Sequence, residues 1–364
     1  MTNFITTKKI VKHILIVLLF SLNLNAQKVK KTKTEPAKIE VAQTTQEVPV
    51  APVVSAILPV DKKAKVSLFP AFNDGKWGFI DSDGLVVIAY QFEKAELFSN
   101  NLGLVRFSGK WGFINQEGKY EINPQFEAGL KFSEKFSAVK LKGKWGFIDG
   151  KGDFIVRPIF SDAKPFSEGL AAVKENGKWG FIDKAGKMII NPQFEDAFPF
   201  KGVIALVKFA GKWGFIGSDS KYVIIPQFDS AKDFSEGLAA AKKDGKWGFI
   251  DKDGKFALPN NFSDAESFVG GLAPIKLGSS WGYLDKDGKI QINPQFGNAH
   301  DFSEDFAAVK QGSLYGYINK KGEFTINSQF NDAENFSGGM AQVKIGSKFA
   351  YIKKDGKVIW TQTK

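Results

Sequence analysis

Gly177-Lys178-Trp179-Gly180-Phe181-Ile182-Asp183 decides the reading of this chain, because near-copies of it return at one fixed interval. Trp77, Trp111, Trp145, Trp179, Trp213, Trp247 and Trp281 stand 34 residues apart, and Tyr315 and Phe349 continue the count. Nine aromatics in one register, with no insertion between them, specify tandem modules rather than independent domains. The unbroken interval also leaves no segment from which a deep pocket peculiar to one module could be built.

Around Trp179, three apolar runs are separated by glycine-bearing turns: Leu170-Ala171-Ala172-Val173-Lys174, Trp179 to Asp183, and Lys187-Met188-Ile189-Ile190-Asn191. Short runs punctuated in this way are the signal of antiparallel strands joined by hairpins. Gly84, Gly118, Gly186, Gly254 and Gly288 supply the positive φ that such turns need. Pro192 and its counterparts Pro124, Pro158 and Pro294 are expected to end the third strand, since proline has no N–H for a ladder. The connection keeps the pattern Phe-x-x-Ala-x-x-Phe, as in Phe228-Asp229-Ser230-Ala231-Lys232-Asp233-Phe234. Its three-residue spacing reads as a turn of tight helix or a folded loop whose rings plug the seam between modules. A lone module buries too little to fold, so neighbours must share a core.

These features predict an all-β body over residues 66–364, made of nine tandem 34-residue three-stranded meanders. Leu68-Phe69-Pro70-Ala71-Phe72 and Lys357 to Trp360 put both ends of the series at module edges. No strand then has to be exchanged between the ends, and an open, superhelical stack is the expected architecture. A closed propeller-like ring is the alternative.

Residues 1–26 read as a secretory signal peptide, with Lys8, Lys9 and Lys12, an apolar run from Ile14 to Leu24, and Ala26 before Gln27. The run is short for a membrane-spanning helix, so the mature chain is expected to carry no transmembrane span. Residues 27–65 are rich in Lys, Thr, Glu, Gln, Val and Pro without a period, and are expected to be a flexible linker. The expected location is exported: periplasm, outer surface or extracellular space.

Composition agrees with a repeated aromatic core joined by tight turns: 35 Phe, 8 Trp and 37 Gly. Of the formal net charge of +11, +3 lies in residues 1–26 and +4 in 27–65, which leaves about +4 for the repeats. That is a surface of interspersed signs, and it argues against nucleic acid as the main partner. With Cys 0, disulfides, thiol catalysis and Cys-based zinc sites are excluded.

The motif Gly-Lys-Trp-Gly-Phe-Ile-Asp, followed by Gly-Lys, Ile-x-Pro-Gln-Phe and Phe-Ser-Glu-Gly-Leu-Ala, resembles the WG-repeat (KWG-repeat) family of exported bacterial proteins. The resemblance implies a tandem β-repeat, commonly behind an export signal and often on cell-envelope or secreted proteins. It brings no general catalytic set and no agreed ligand. Ser279-Ser280 in place of Gly-Lys, Tyr315 and Phe349 in place of Trp, and Ala350 in place of Gly depart from the pattern.

Three constellations compete as sites. The Trp column could stack on sugars, but each ring shares a strand face with a Phe such as Phe181, so core packing is the preferred account. Asp81-Ser82-Asp83-Gly84, Asp251-Lys252-Asp253-Gly254 and Asp285-Lys286-Asp287-Gly288 begin like calcium loops yet lack the later ligands, which favours plain hairpin turns. Lys110, Lys144, Lys178, Lys212 and Lys246, with Arg106, Lys140, Lys174, Lys208 and Lys242 on the preceding strand, would form a basic stripe able to meet an anionic polymer. Edge protection and solubility are its duller explanation. His13 and His300 are the two histidines, so no His pair or Ser-His-Asp set can be assembled, and no cofactor is expected. The functional expectation is a non-enzymatic scaffold that binds a protein or envelope component through an extended surface. A glycan-binding module is the alternative.

Overall fold

The computed structural model describes residues 67–363. The expected leader and linker, residues 1–26 and 27–65, lie outside the described residues.

Within the repeats, the Trp179 module shows how sequence becomes sheet. Leu170–Glu175 pairs antiparallel with Lys178–Asp183, residue against residue, so that Lys174 faces Trp179 and Val173 faces Gly180. The last strand, Met188–Phe194, pairs with the Trp strand on its other side. A further strand, Asp162–Ser167, pairs with Leu170–Glu175 and makes the sheet four-stranded. In seven other blades this added strand is only two residues long, as in Asp196–Ala197 and Asp264–Ala265. It falls on the alanine of Phe-x-x-Ala-x-x-Phe. The connection is therefore a short strand followed by a tight bridged turn, Ser235↔Leu238 for example, rather than a helical turn.

Proline behaves differently from the expectation as well. Pro192 lies inside the last strand, not at its end. Between the pairs Trp179↔Phe194 and Phe181↔Ile190, one residue of the Trp strand is opposed by three of the last strand. In this bulge no ladder bond is asked of the proline nitrogen. The bulged backbone also explains the Gly after Trp: a Cβ on Gly180 would lie 2.4 Å from the Ile190 carbonyl oxygen and 2.7 Å from the Pro192 nitrogen. Blade 9 has Ala350 there because its last strand, Val358–Thr361, pairs Ala350↔Thr361 and Tyr351↔Trp360 with no bulge between them.

Nine sheets follow one another, eight of them four-stranded rather than three-stranded and the first, Phe69–Asn73, Lys76–Ile80 and Val86–Phe92, with three strands among the described residues. They close into a nine-bladed propeller ring rather than an open, superhelical stack. The core lies between sheets. Nine buried clusters fill the nine seams, each drawn from two neighbouring blades, and the ninth joins Phe69, Ala71 and Ile80 of the first blade to Met340 and Tyr351 of the last. Across that closing seam the Tyr351 hydroxyl donates to the Pro70 carbonyl at 2.9 Å, and Trp360 Nε1 donates to the Tyr90 hydroxyl at 2.9 Å. Asn73 Oδ1 accepts from the backbone N–H and the hydroxyl of Thr363, and Lys353 pairs with Asp83 at 2.9 Å. The argument for an open stack assumed that closure would need an exchanged strand. It does not, because the end blades meet face to face like any other pair, and an open stack would leave both of those apolar faces in water.

Each of the other seams is plugged by the second phenylalanine of the connection. Phe98 packs on Phe79 of the preceding blade, and eight such ring pairs recur with centroids 4.7 to 5.0 Å apart. At the closing seam the repeat register puts Ala64 in that place, outside the described residues. Phe69, which stands where the next blade has Gly103, puts its own ring on Tyr351 at 6.0 Å instead. The exchange is steric. A Cβ on Gly103 would sit 2.8 Å from the Phe98 ring, so a blade carries either the connection phenylalanine or a large residue at this point, not both.

Candidate functional site

Antiparallel pairing sends the hairpin turns alternately to the two ends of the ring, so each end repeats one kind of turn nine times. One end carries the turns that lead into the Trp strands, with the basic positions. The other carries the Asp-x-x-Gly turns together with the bridged turns of the connections.

At the basic end Lys110, Lys144, Lys178, Lys212 and Lys246 are all exposed. Facing eight of the nine aromatics across the hairpin stands a second cation: Arg106, Lys140, Lys174, Lys208 and Lys242, and also Lys276, Lys310 and Lys344 further on, while Trp77 faces Phe72. Cross-strand adjacency lays several of these over the ring they face. Lys174 lies 5.7 Å from the Trp179 centroid, Lys208 5.8 Å from Trp213, Lys276 5.7 Å from Trp281, Lys310 5.6 Å from Tyr315 and Lys344 5.0 Å from Phe349. Attraction between ammonium and ring face holds these side chains in place. The turn windows 72–76 to 344–348, one per blade, contain 17 Lys or Arg and 3 Asp or Glu, whereas the opposite windows 81–85 to 353–357 contain 14 and 13. Acids of the connections lie at the basic end too, but several are engaged. Glu93, Glu127, Glu195 and Asp229 accept from the turn N–H of Gly109, Gly143, Gly211 and Gly245.

The aromatic column is packed between blades. Trp179, Trp247, Trp281 and Tyr315 are buried, while Trp77, Trp111, Trp145, Trp213 and Phe349 are half-buried.

At the opposite end the aspartates spend their oxygens on the chain itself. Asp251 Oδ1 accepts from the N–H groups of Asp253 and Lys255, and Asp81, Asp183 and Asp285 do the same in their turns. Among the described residues no group of three or more His, Cys, Asp or Glu is placed to hold a metal ion. This end instead has a feature that sequence reading missed. Glu134, Glu236 and Glu304 reach one blade forward to the N–H of Gly169, Gly271 and Gly339, and each pairs with a lysine further on, Lys184, Lys286 or Lys354. Burial works against their ionisation, but the lysine and the backbone N–H groups outweigh it and hold these carboxyls below their ordinary value. Spacings of 35 and 50 residues were the available signal, and they become meaningful only once neighbouring blades are known to touch.

The His300 ring packs on Tyr315 at 5.8 Å, and its carbonyl accepts from Tyr283. Asp301 beside it is pushed above the usual carboxylate range by burial and by Glu266, against the pull of Lys232 and of His300. Two hollows lie in the surface of the described residues. One of about 340 Å³ lies by Phe69, Phe98, Asn100 and Gly338 at the closing seam, and another of about 250 Å³ by Phe198, Lys201, Lys232 and Asp233. No helix among the described residues is long and apolar enough to cross a membrane.

Fold and surface together define a β-propeller built from tandem repeats. The chain belongs to the WG-repeat family: the model of the WG containing repeat matches residues 77–111, 111–145, 145–179, 179–213, 213–247, 247–279, 281–315 and 315–349. No curated protein sequence matches it. Among solved structures, a eukaryotic initiation factor is similar with a TM-score of 0.58 at 11% identity, covering 82% of this chain and 96% of that one. Hsv2 of Kluyveromyces lactis has a TM-score of 0.39 at 9% identity over 63% of this chain and 94% of its own. The dihydro-heme d1 dehydrogenase NirN has 0.46 at 14% identity over 84% and 75%. The first likeness concerns fold alone, and the other two carry no functional argument.

Proposed function

We propose that the protein is an exported, non-enzymatic scaffold that holds a macromolecular partner, a protein or a cell-envelope component, against its ring. The observation that carries this reading is the ninefold presentation of equivalent turns around each end of a closed body. Many shallow, similar contacts can sum to useful affinity where a single deep site is lacking. Export is supported by the leader-like composition of residues 1–26. A glycan-binding module would need free ring faces, and Lys174, Lys208 and Lys276 occupy those of Trp179, Trp213 and Trp281.

The test is expression of the full chain with its own leader and a C-terminal tag, followed by cell fractionation and cross-linking in intact cells. A processed chain in an exported fraction, joined to a defined macromolecule, is the expected result. Retention in the cytoplasm would refute export. Saccharide-dependent changes in Trp fluorescence would transfer the reading to glycan binding.

A further inference from the structure

The two ends of the ring differ in charge in a way that the near-neutral total conceals. We propose that the basic end is a docking surface for an acidic, extended polypeptide. This deepens the scaffold reading and rests on it.

Charge complementarity selects the sign of the partner. The turns of this end hold 17 cations against 3 acids. Eight connection acids lie at this end as well: Glu93, Glu127, Glu195 and Asp229 are tied to turn N–H groups, and Asp162, Asp196, Asp264 and Asp332 stand opposite Lys174, Lys208, Lys276 and Lys344, which still leaves an excess of cations. Rings beneath Lys174, Lys208, Lys276 and Lys310 hold these inner cations in place, so less side-chain freedom is lost when a carboxylate arrives, whereas Arg106 and Lys344 are already paired with Glu93 and Asp332. The outer lysines are exposed and, apart from the pairing of Lys212 with Asp229, make no ion pair among the described residues.

Apolar groups at the same turn tips narrow the partner to a polypeptide. Phe209 and Ile345 are each 42% exposed beside the lysines. A chain that alternates carboxylates with apolar side chains can use both kinds of contact, whereas a polyanionic saccharide uses only one. An anionic membrane would press lipid phosphates onto the acids interleaved with the lysines, while a peptide can place its carboxylates in register with the cations. A second copy of the ring offers no strong complement, because the Asp-x-x-Gly turns of its other end hold 14 cations to 13 acids and the bridged turns add only a slight excess of acid. Nucleic-acid bases stack on free aromatic faces, and lysines cover those of Trp179, Trp213 and Trp281.

The experiment measures fluorescence anisotropy of a labelled peptide of alternating Glu and Leu on titration with the full chain, between about 50 and about 300 mM salt. Saturable binding that weakens with salt is expected. The variant Lys110→Glu, Lys144→Glu, Lys178→Glu, Lys212→Glu, Lys246→Glu should bind at least about tenfold more weakly. A control at the other end, Lys252→Glu, Lys255→Glu, Lys289→Glu, should change binding by less than about twofold. Circular dichroism confirms that both variants fold, and the corresponding fivefold Lys→Gln variant should fall between wild type and Lys→Glu. The proposal is overturned if wild type does not bind the peptide, if both ends respond alike, or if phosphatidylserine vesicles, a sulfated polysaccharide or single-stranded DNA binds more tightly than the peptide. A cross-linked partner whose capture ignores the fivefold reversal would overturn this inference and leave the scaffold reading intact.

Discussion

Phe69→Ala tests the closed ring most directly. The side chain is 5% exposed, touches Tyr351 across the closing seam, and fills the space that a connection phenylalanine fills at the other seams. A buried phenylalanine removes about 200 Å² from water, which at about 25 cal/mol per Å² corresponds to about 5 kcal/mol at most. Measured large-to-small changes of this kind cost about 3–5 kcal/mol, depending on how far the surroundings collapse. The hole left here has Ala71 and Ile80 on one side and Met340 on the other, two blades joined by packing and not by chain, so the site can relieve itself by parting. Loss of stability should therefore come with loss of amide protection in residues 69–73, 340–345 and 358–361, ahead of the remaining blades. Denaturant unfolding and hydrogen exchange of the full chain read both quantities, and Phe69→Leu should cost less than about 1.5 kcal/mol. A cost under about 1 kcal/mol for Phe69→Ala, with protection at these segments unchanged, would refute the closure argument.

Gly180→Ala drives a methyl group into the Ile190 carbonyl and should destabilise by about 1–3 kcal/mol, whereas Ala350→Gly, where the bulge is absent, should cost only about 1 kcal/mol or less in the same denaturation assay. Tyr317→Phe removes the hydroxyl that donates to the Glu334 carbonyl and should cost about 1 kcal/mol by thermal unfolding, a modest effect because six blades already carry Phe at this position. Glu134, Glu236 and Glu304 bind protons less readily folded than unfolded, so their contribution is present above the ordinary carboxylate value of 4.5 and is lost as pH falls through their lower folded values. Glu236→Gln should accordingly flatten the acid limb of a stability profile recorded from pH 6 down to about 3.

Much of the blade could be read from residues alone because its determinants are local. The spacing of glycines fixed the hairpins, and alternation along Trp179 to Ile182 placed those side chains in covered positions. What escaped was set by pairings across a sheet or by contacts between blades. The two-residue strand at Asp196–Ala197 is too short to show alternation and exists because Ala197 meets Val207 across the sheet. Pro192 looked like a stop because its missing N–H is visible in sequence, while the bulge that makes it harmless depends on Gly180 lying opposite. Closure was hidden for a related reason: Phe69 looks like one more apolar residue of a first strand until its partner Tyr351, at the far end of the chain, is brought beside it. For the candidate surface, the exposed lysines were visible in the repeat itself, but their inequality between the two ends required knowing which turns share an end.

The trade between Phe69 and Gly103 also makes the position of the chain's ends a local choice. A circularly permuted chain that began near residue 203 would break the chain between the two-residue strand of the fifth blade, Asp196–Ala197, and its next strand, Ile204–Phe209, where Phe200 lies in the connection and Ala205 on the following strand. Moving the plug with the break, by Phe200→Ala and Ala205→Phe, would reproduce the present arrangement at a new place, while joining the old termini would require restoring Phe at residue 64 and a small residue at 69. The topological origin of the ring is thus written in two side chains per seam, and it could migrate around the circle with the three long strands of every blade kept as they are.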